Sequence, residues 1–289
     1  MQTSSLKRNI SNVYLSLLPF LTFGIALSLG HANYKTILPI GLLVVSFALL
    51  AVWILGAHAI VSSDKEKKHL VITSLMLIAP WILLCSLSGI GAPPFDKPVE
   101  YVATATEQQF RYTFLIFGGL AVAFGFALLK EKLKKSAENF YSWIGFIAIM
   151  IAAPLFVMNM SYYDQFLLET YKVRAASGSD KFPEWFSPVQ GQFFVVMVVE
   201  VALTFLATAA FASSLKVAGW FSRTACNIYI LISLLCFIDA LLSIVFPMVG
   251  FVVIPALPFI MPYYIGINLM KRTGNEVAAL LHPQAALAV

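Results

Sequence analysis

Charge is what this sequence has least of. Only 11% of its 289 residues are Asp, Glu, Lys or Arg, where a soluble globular chain carries about 25%. Cysteine is almost as scarce. Cys85, Cys226 and Cys236 all lie inside apolar runs, so the sequence predicts no disulfide framework and leaves the redox compartment open.

Catalytic signatures are missing as well. The chain has no G-x-S-x-G, no H-E-x-x-H, no P-loop and no glycine-rich dinucleotide fingerprint, so none of the corresponding catalytic residues is assigned. His31, His58, His69 and His282 are too scattered for a metal cluster, and neither metal nor cofactor is expected. No lysine falls in the last three apolar runs, which argues against a retinal Schiff base of the usual kind. No internal repeat is visible.

Apolar sequence is abundant instead: 60% of the residues are hydrophobic, arranged in long uncharged runs. A run of 18 or more spans about 30 Å of hydrocarbon as a helix, and lipid cannot satisfy an open backbone. The expected fold is therefore all-α, a polytopic transmembrane helical bundle forming a single membrane domain. Eight spans are predicted, at about 13–30, 37–59, 70–90, 112–129, 141–160, 193–211, 224–246 and 248–270. The last two are divided only by a turn at Phe246-Pro247-Met248-Val249-Gly250. An unbroken helix over 224–270 would be about 70 Å long.

The net charge of +5 does not indicate nucleic acid, because the basic residues sit in short clusters at the ends of apolar runs. With both termini in the cytoplasm, thirteen Lys and Arg fall inside (Lys7 to Arg8, Lys65 to Lys68, Lys130 to Lys135, Lys216, Arg223, Lys271 and Arg272). Six fall outside (Lys35, Lys97, Arg111, Lys172, Arg174 and Lys181). That bias is the one expected of cytoplasmic loops. The alternative reads the first run as a cleaved signal peptide ending near Gly30-His31-Ala32, which leaves seven spans. Short loops point to a bacterial inner membrane. Two long outer connections, 91–111 and 161–192, remain. In the second, Tyr162 to Lys172 reads as a short interfacial helix and Phe182 to Phe186 as an aromatic anchor at headgroup level.

Ionisable groups inside hydrocarbon carry the functional reading, since each costs a few kcal/mol unless turned inward and compensated. Glu200 lies near the middle of the sixth span. Gln192, Thr204 and Thr208 share its stripe at helical spacing. Asp239 in the seventh span sits at a similar depth, so the two carboxylates are candidates to share a proton or a cation. Their structural alternative is packing, for example Asp239 paired with Arg111. Asn159, Arg111, Tyr162 and Tyr163 are expected to extend an outer vestibule. His58, near the inner end of the second span, reads as a secondary candidate with an interfacial role. Pro80, Pro154 and the group Pro255, Pro258 and Pro262 predict kinked or broken helices.

The leading expectation is a small permease or channel-like protein for a cation, a proton-coupled solute or a weakly basic molecule. Its partners are the bilayer and that solute, and the chain is compatible with a homo-oligomer or a membrane complex. A non-catalytic subunit of a larger membrane complex is the second reading. An intramembrane enzyme on lipid or isoprenoid substrates is the third.

Overall fold

The computed structural model describes residues 2–29, 34–83, 97–134, 136, 138–178, 181–246 and 257–281. Every regular element among them is helical: α1 (Gln2–Leu29), α2 (Tyr34–Leu55), α3 (Lys65–Leu83), α4 (Pro98–Ala103), α5 (Ala105–Leu133), α6 (Phe140–Ser161), α7 (Leu168–Ser177), α8 (Phe186–Val217), α9 (Arg223–Val245) and α10 (Ile260–Leu281). Five helical runs are long and apolar enough to cross a membrane: Ile37–Leu55, Ala105–Leu133, Phe140–Ser177, Phe186–Val217 and Arg223–Val245. The protein is thus an all-α bundle of a polytopic membrane kind. α1, α3 and α10 are long helices too, but each carries charge: Lys7 and Arg8 near the start of α1, Lys65 to Lys68 at the start of α3, and Lys271 and Arg272 in the middle of α10.

The surface is apolar where a soluble protein's would be polar. Phe20, Phe117, Phe124, Leu231 and Leu235 are all more than half exposed, while Thr73, Ser74, Thr208, Ser214 and Ser233 are buried. Such a continuous apolar exterior suits lipid contact. α8 is the most enclosed of the five apolar runs and lies between α6 and α9, which pack along its length. From α6 the packing continues through α5 and α3 to α10, with α1 and α2 grouped at that end. Small residues bring the backbones close, as in other membrane bundles. At Gly145 a β-carbon would stand 2.7 Å from the Phe211 ring. Gly56 and Gly274 let the end of α2 touch α10, where a β-carbon would overlap the Met270 or Leu55 carbonyl.

Several predicted boundaries move, for local reasons. α2 stops at Leu55, and Ala57–Val61 forms a 3-10 turn that carries His58. α3 begins five residues early because Asp64 Oδ1 accepts from the Glu66 and Lys67 amides at 2.9 and 3.4 Å, an N-cap. The first long connection is partly helical: Pro98 opens α4, and α5 starts at Ala105, not at Tyr112. Tyr162–Leu167 is a π-helical segment that joins α6 to α7 as one run, so this stretch is not a separate helix. Prolines break less than expected: α3 and α6 run through Pro80 and Pro154, and Pro262 sits in the first turn of α10. In that turn the missing N–H costs nothing. The predicted turn at Pro247 to Gly250, Pro255, the end of the third predicted span and the Gly30-His31-Ala32 cleavage site lie outside the described residues.

One end of the bundle gathers the basic clusters. Arg8 reaches the Lys271 carbonyl at 3.5 Å, Lys132 pairs with Glu66, and Ser214 donates to Glu138. Lys130 lies 3.7 Å from the centroid of Trp143, and Arg272 4.6 Å from that of Trp220. At the other end α4, α7 and the start of α8 build a second small core around Tyr101, Leu167, Leu168, Tyr171 and Phe186. The 38-residue run Phe140–Ser177 would be about 57 Å long if straight, well beyond a 30 Å hydrocarbon layer. Its far part therefore belongs to this aromatic cap, in which Phe186 is buried and Phe182 packs against it while Trp185 stays exposed.

Candidate functional site

α8 presents Glu200 toward α5 and α6. The side chain is 1% exposed, and its Oε2 has no hydrogen-bond partner. Around it lie Gly119 and Val122 from α5, Ile149, Ala152 and Phe156 from α6, Thr204 from α8, and Pro258 and Phe259, enclosing a void of about 10 Å³. Phe156 approaches α5 closely because Gly119 has no side chain: a β-carbon there would overlap the Phe156 ring. Phe156 also meets Phe259 edge-on, with centroids 5.4 Å apart.

Asn159 and Tyr163 follow Phe156 on the same face at one-turn spacing, toward the cap. Asn159 is fully buried, and neither its amide nitrogen nor its amide oxygen has a partner. Tyr163 is within electrostatic reach of Glu200. Its phenol donates to the Met197 thioether at 4.0 Å, one turn outward from Glu200. Tyr163 stacks on Tyr112 with centroids 5.5 Å apart, and Tyr112 in turn interacts with Tyr101 through their phenols. Burial, with Tyr112 second, holds the Tyr101 phenol well above its usual pKa. It stays a hydroxyl donor at physiological pH.

Outside this chain of tyrosines is a pocket of about 510 Å³ whose walls include Tyr162, Tyr163, Tyr171, Phe182, Phe186 and Phe194. Glu184 is the one charged residue among its lining. On the opposite side of Glu200, Phe126 and Phe211 stack face to face at 4.6 Å. Phe211 is eleven residues along α8, about 16 Å inward. The geometry is thus a roomy pocket at the cap, a tyrosine boundary, a buried carboxyl and a stacked aromatic pair beyond it.

The candidates read from sequence separate into three groups. Glu200, Thr204 and Asn159 lie on the α6 and α8 faces just described. Thr204 and Thr208 donate to the Glu200 and Thr204 carbonyls, both at 2.8 Å, so their protons serve the helix backbone. Gln192, expected on the same stripe, is exposed. Arg111 is buried at the cap with Glu107, Tyr101 and Tyr112 for neighbours, beside the vestibule and not among its walls.

Asp239 is half-buried on α9, near Cys236, and does not line the Glu200 void. α9 packs on the flank of α8 formed by Met197, Val201, Ala202 and Phe205. That flank is about 100° around the axis from the face holding Glu200. His58 Nδ1 lies 3.0 Å from the Trp53 carbonyl, with its ring edge-on to Trp53, which occupies it locally. Among the described residues no group of three or more His, Cys, Asp or Glu is placed to hold a metal ion.

Residues missed by sequence reasoning are Gly119, Phe156 and Phe259, which shape the void, and Tyr101, Tyr112 and Tyr171, which extend the tyrosine series. The only advance sign was the density of aromatics in the two outer connections. No known protein family matches the chain, and no curated protein or solved structure resembles it closely enough to count as a relative.

Proposed function

We propose that this chain is a small permease or channel-like protein that passes a cation, a proton-coupled solute or a weakly basic molecule by way of Glu200. The observation that carries the reading is the unpartnered Glu200 Oε2, enclosed by helices. A carboxyl held in an apolar site without a partner costs a few kcal/mol. A proton or a cation offsets that cost on arrival, so the site is built to take one up. Thr204 adds a wall and Asn159 an uncommitted amide on the outer approach. Arg111 sets the charge beside the vestibule. Asp239 and His58 act away from the Glu200 site.

The outer pocket with the Phe126 and Phe211 seal beneath it supports an outward-facing arrangement. Eight spans with both ends in the cytoplasm of a bacterial inner membrane agree with the gathering of basic residues at one end of the bundle. α1 is tied into that bundle by Tyr263 and Tyr264, which donate to its Leu15 and Ser16 carbonyls at 2.7 and 2.8 Å, and this supports counting it as a span.

The test is proton and cation flux in proteoliposomes containing the full chain, wild type against Glu200→Gln. The amide keeps the shape of the side chain and removes the titrating oxygen. Flux should fall at least tenfold. Unchanged flux removes Glu200 from the path and leaves the non-catalytic subunit as the better reading.

A further inference from the structure

The basic end of the bundle holds a second pocket, of about 340 Å³, where the start of α9 meets α10. Its walls include Trp220, Ser222 and Ala225 on one side and Asn268, Lys271 and Arg272 on the other. The two helices are tied together there by Asn268, whose amide donates to the Tyr229 phenol at 2.5 Å. Among the described residues no Asp or Glu belongs to the wall.

Positive charge at this pocket stands uncompensated. Lys271 is exposed, and among the described residues no carboxylate is within ion-pair distance of it. The Arg8 guanidinium lies 3.5 Å from the Lys271 carbonyl and adds a further cation behind it. Of the carboxylates elsewhere at this end, Asp64 caps α3, Glu66 pairs with Lys132, Glu138 accepts from Ser214 and from the Tyr141 amide, and Glu131 is exposed on α5. α3 meets α10 at Gly266, and Lys271 and Arg272 stand about 140° and 120° around the axis from that residue. The acids of α3 therefore face another side of α10.

The donors suit a phosphate. The Arg272 guanidinium lies over the Trp220 ring, 4.6 Å from its centroid, which holds a long side chain at the rim; a planar guanidinium so placed loses less freedom when it binds an oxyanion. Lys271 supplies a point charge. Ser222 accepts from the Ala225 amide at 3.3 Å as the cap of α9, so its hydroxyl proton remains for an acceptor in the pocket.

The surroundings distinguish between phosphates. From Ala225 an apolar strip continues along α9 through Ile228 and Leu235, at i+3 and i+10, which are 50% and 58% exposed. Trp220 and Phe221 stand where that strip gives way to charge, as aromatic residues do at headgroup level. A free phosphate ester would use the donors and leave the strip bare. A phospholipid uses both, and basic pockets between spanning helices take anionic headgroups. A zwitterionic headgroup would bring its own ammonium toward Lys271 and Arg272.

We infer that this pocket holds the phosphate of an anionic phospholipid, gripped by Lys271 and Arg272, with its acyl chains along Ile228 and Leu235. The site is separate from Glu200 and does not depend on the permease reading.

The experiment is native mass spectrometry of the full chain in detergent, titrated with dioleoylphosphatidylglycerol, dioleoylphosphatidylcholine and glycerol 3-phosphate. Phosphatidylglycerol should bind about fivefold or more tighter than phosphatidylcholine. Lys271→Gln should weaken phosphatidylglycerol about fivefold and Lys271→Arg by less than about twofold. Lys134→Gln removes the same charge from an exposed lysine at the end of α5, and should also weaken it by less than about twofold.

Equal binding of the two lipids overturns the inference. So does an equal loss with Lys271→Gln and Lys134→Gln, because the attraction then belongs to the basic end as a whole. Glycerol 3-phosphate bound as tightly as phosphatidylglycerol, with the same dependence on Lys271, overturns the lipid and makes a soluble phosphate ester the occupant.

Discussion

Phe156 lies against α5 at Gly119, where that helix has no side chain, and in doing so closes over the Glu200 carboxyl. The contact is unforgiving. The ring is buried and already meets Phe259 on another side, so a methyl group on residue 119 has to displace an enclosed aromatic. Overpacking of this kind costs about 1–3 kcal/mol. Gly119→Ala should lower the thermal unfolding midpoint in detergent accordingly. The pair Gly119→Ala with Phe156→Leu should recover part of the loss. Strict additivity of the two would mean that the side chains do not meet.

Glu200 and Asn159 are both buried with unpartnered polar atoms, and such atoms cost about 1–3 kcal/mol each. A residue kept for packing should destabilise the protein when replaced, whereas one kept for function should not. Glu200→Met and Asn159→Leu, similar in length and free of the polar atoms, are expected to leave the unfolding midpoint unchanged or raise it. A stability loss above about 2 kcal/mol for either would mark it as a partnered structural group.

How far the sequence could be read depended on which physical rule governed each feature. Uncharged runs long enough for hydrocarbon located Phe140 to Ser161 and Arg223 to Val245 to within a residue or so, because lipid punishes charge and open backbone alike. The burial of Glu200 followed from the same rule. Caps and continuations were harder. The Asp64 cap moved α3, and nothing in Tyr162 to Leu167 announces a π turn that fuses α6 to α7. The tyrosines of the cap were read as interfacial because a Tyr-rich loop beside a span suits headgroups as well as it suits a protein core. Only tertiary contact, such as Tyr101 on Tyr171, distinguishes the two. Glycine gave no warning at Gly119, since its role is set by a partner 37 positions away.

Thr208 shares the Glu200 stripe, is fully buried, and donates its proton to the Thr204 carbonyl at 2.8 Å. Valine has nearly the same shape and removes only that bond to a carbonyl already held within the helix. Thr208→Val should change stability by about 0.5 kcal/mol or less and flux by less than twofold. A large fall in flux with unchanged stability would place the Thr208 oxygen on the solute path.

The eight-span arrangement predicts which positions face which compartment. Glu184 belongs to the cap, and Val217, well exposed, ends α8 beside the basic cluster. In a background with Cys85, Cys226 and Cys236 replaced by alanine, Glu184→Cys should react with a membrane-impermeant maleimide in intact spheroplasts. Val217→Cys should react only after permeabilisation. Labelling of both, or the reverse order, would contradict the orientation drawn from the thirteen inner and six outer basic residues.

Equal depth in two neighbouring helices made Glu200 and Asp239 look like a pair that shares one charge. Depth is only one coordinate. Glu200 faces α5 and α6, while Asp239 rides on α9, which packs on a flank of α8 about 100° away around the axis. Val201 and Phe205, on that flank, are both buried against α9. Two carboxylates that share a proton would show strong non-additivity, because removing one relieves the other. Groups screened by an apolar helix flank should not. Glu200→Gln and Asp239→Asn, singly and together, should therefore give stability changes that add to within about 0.5 kcal/mol. Flux should fall with Glu200→Gln alone, and the double variant should look like it. A coupling of 1 kcal/mol or more would restore the shared-proton pair and require α9 to turn Asp239 toward the Glu200 void during the transport cycle.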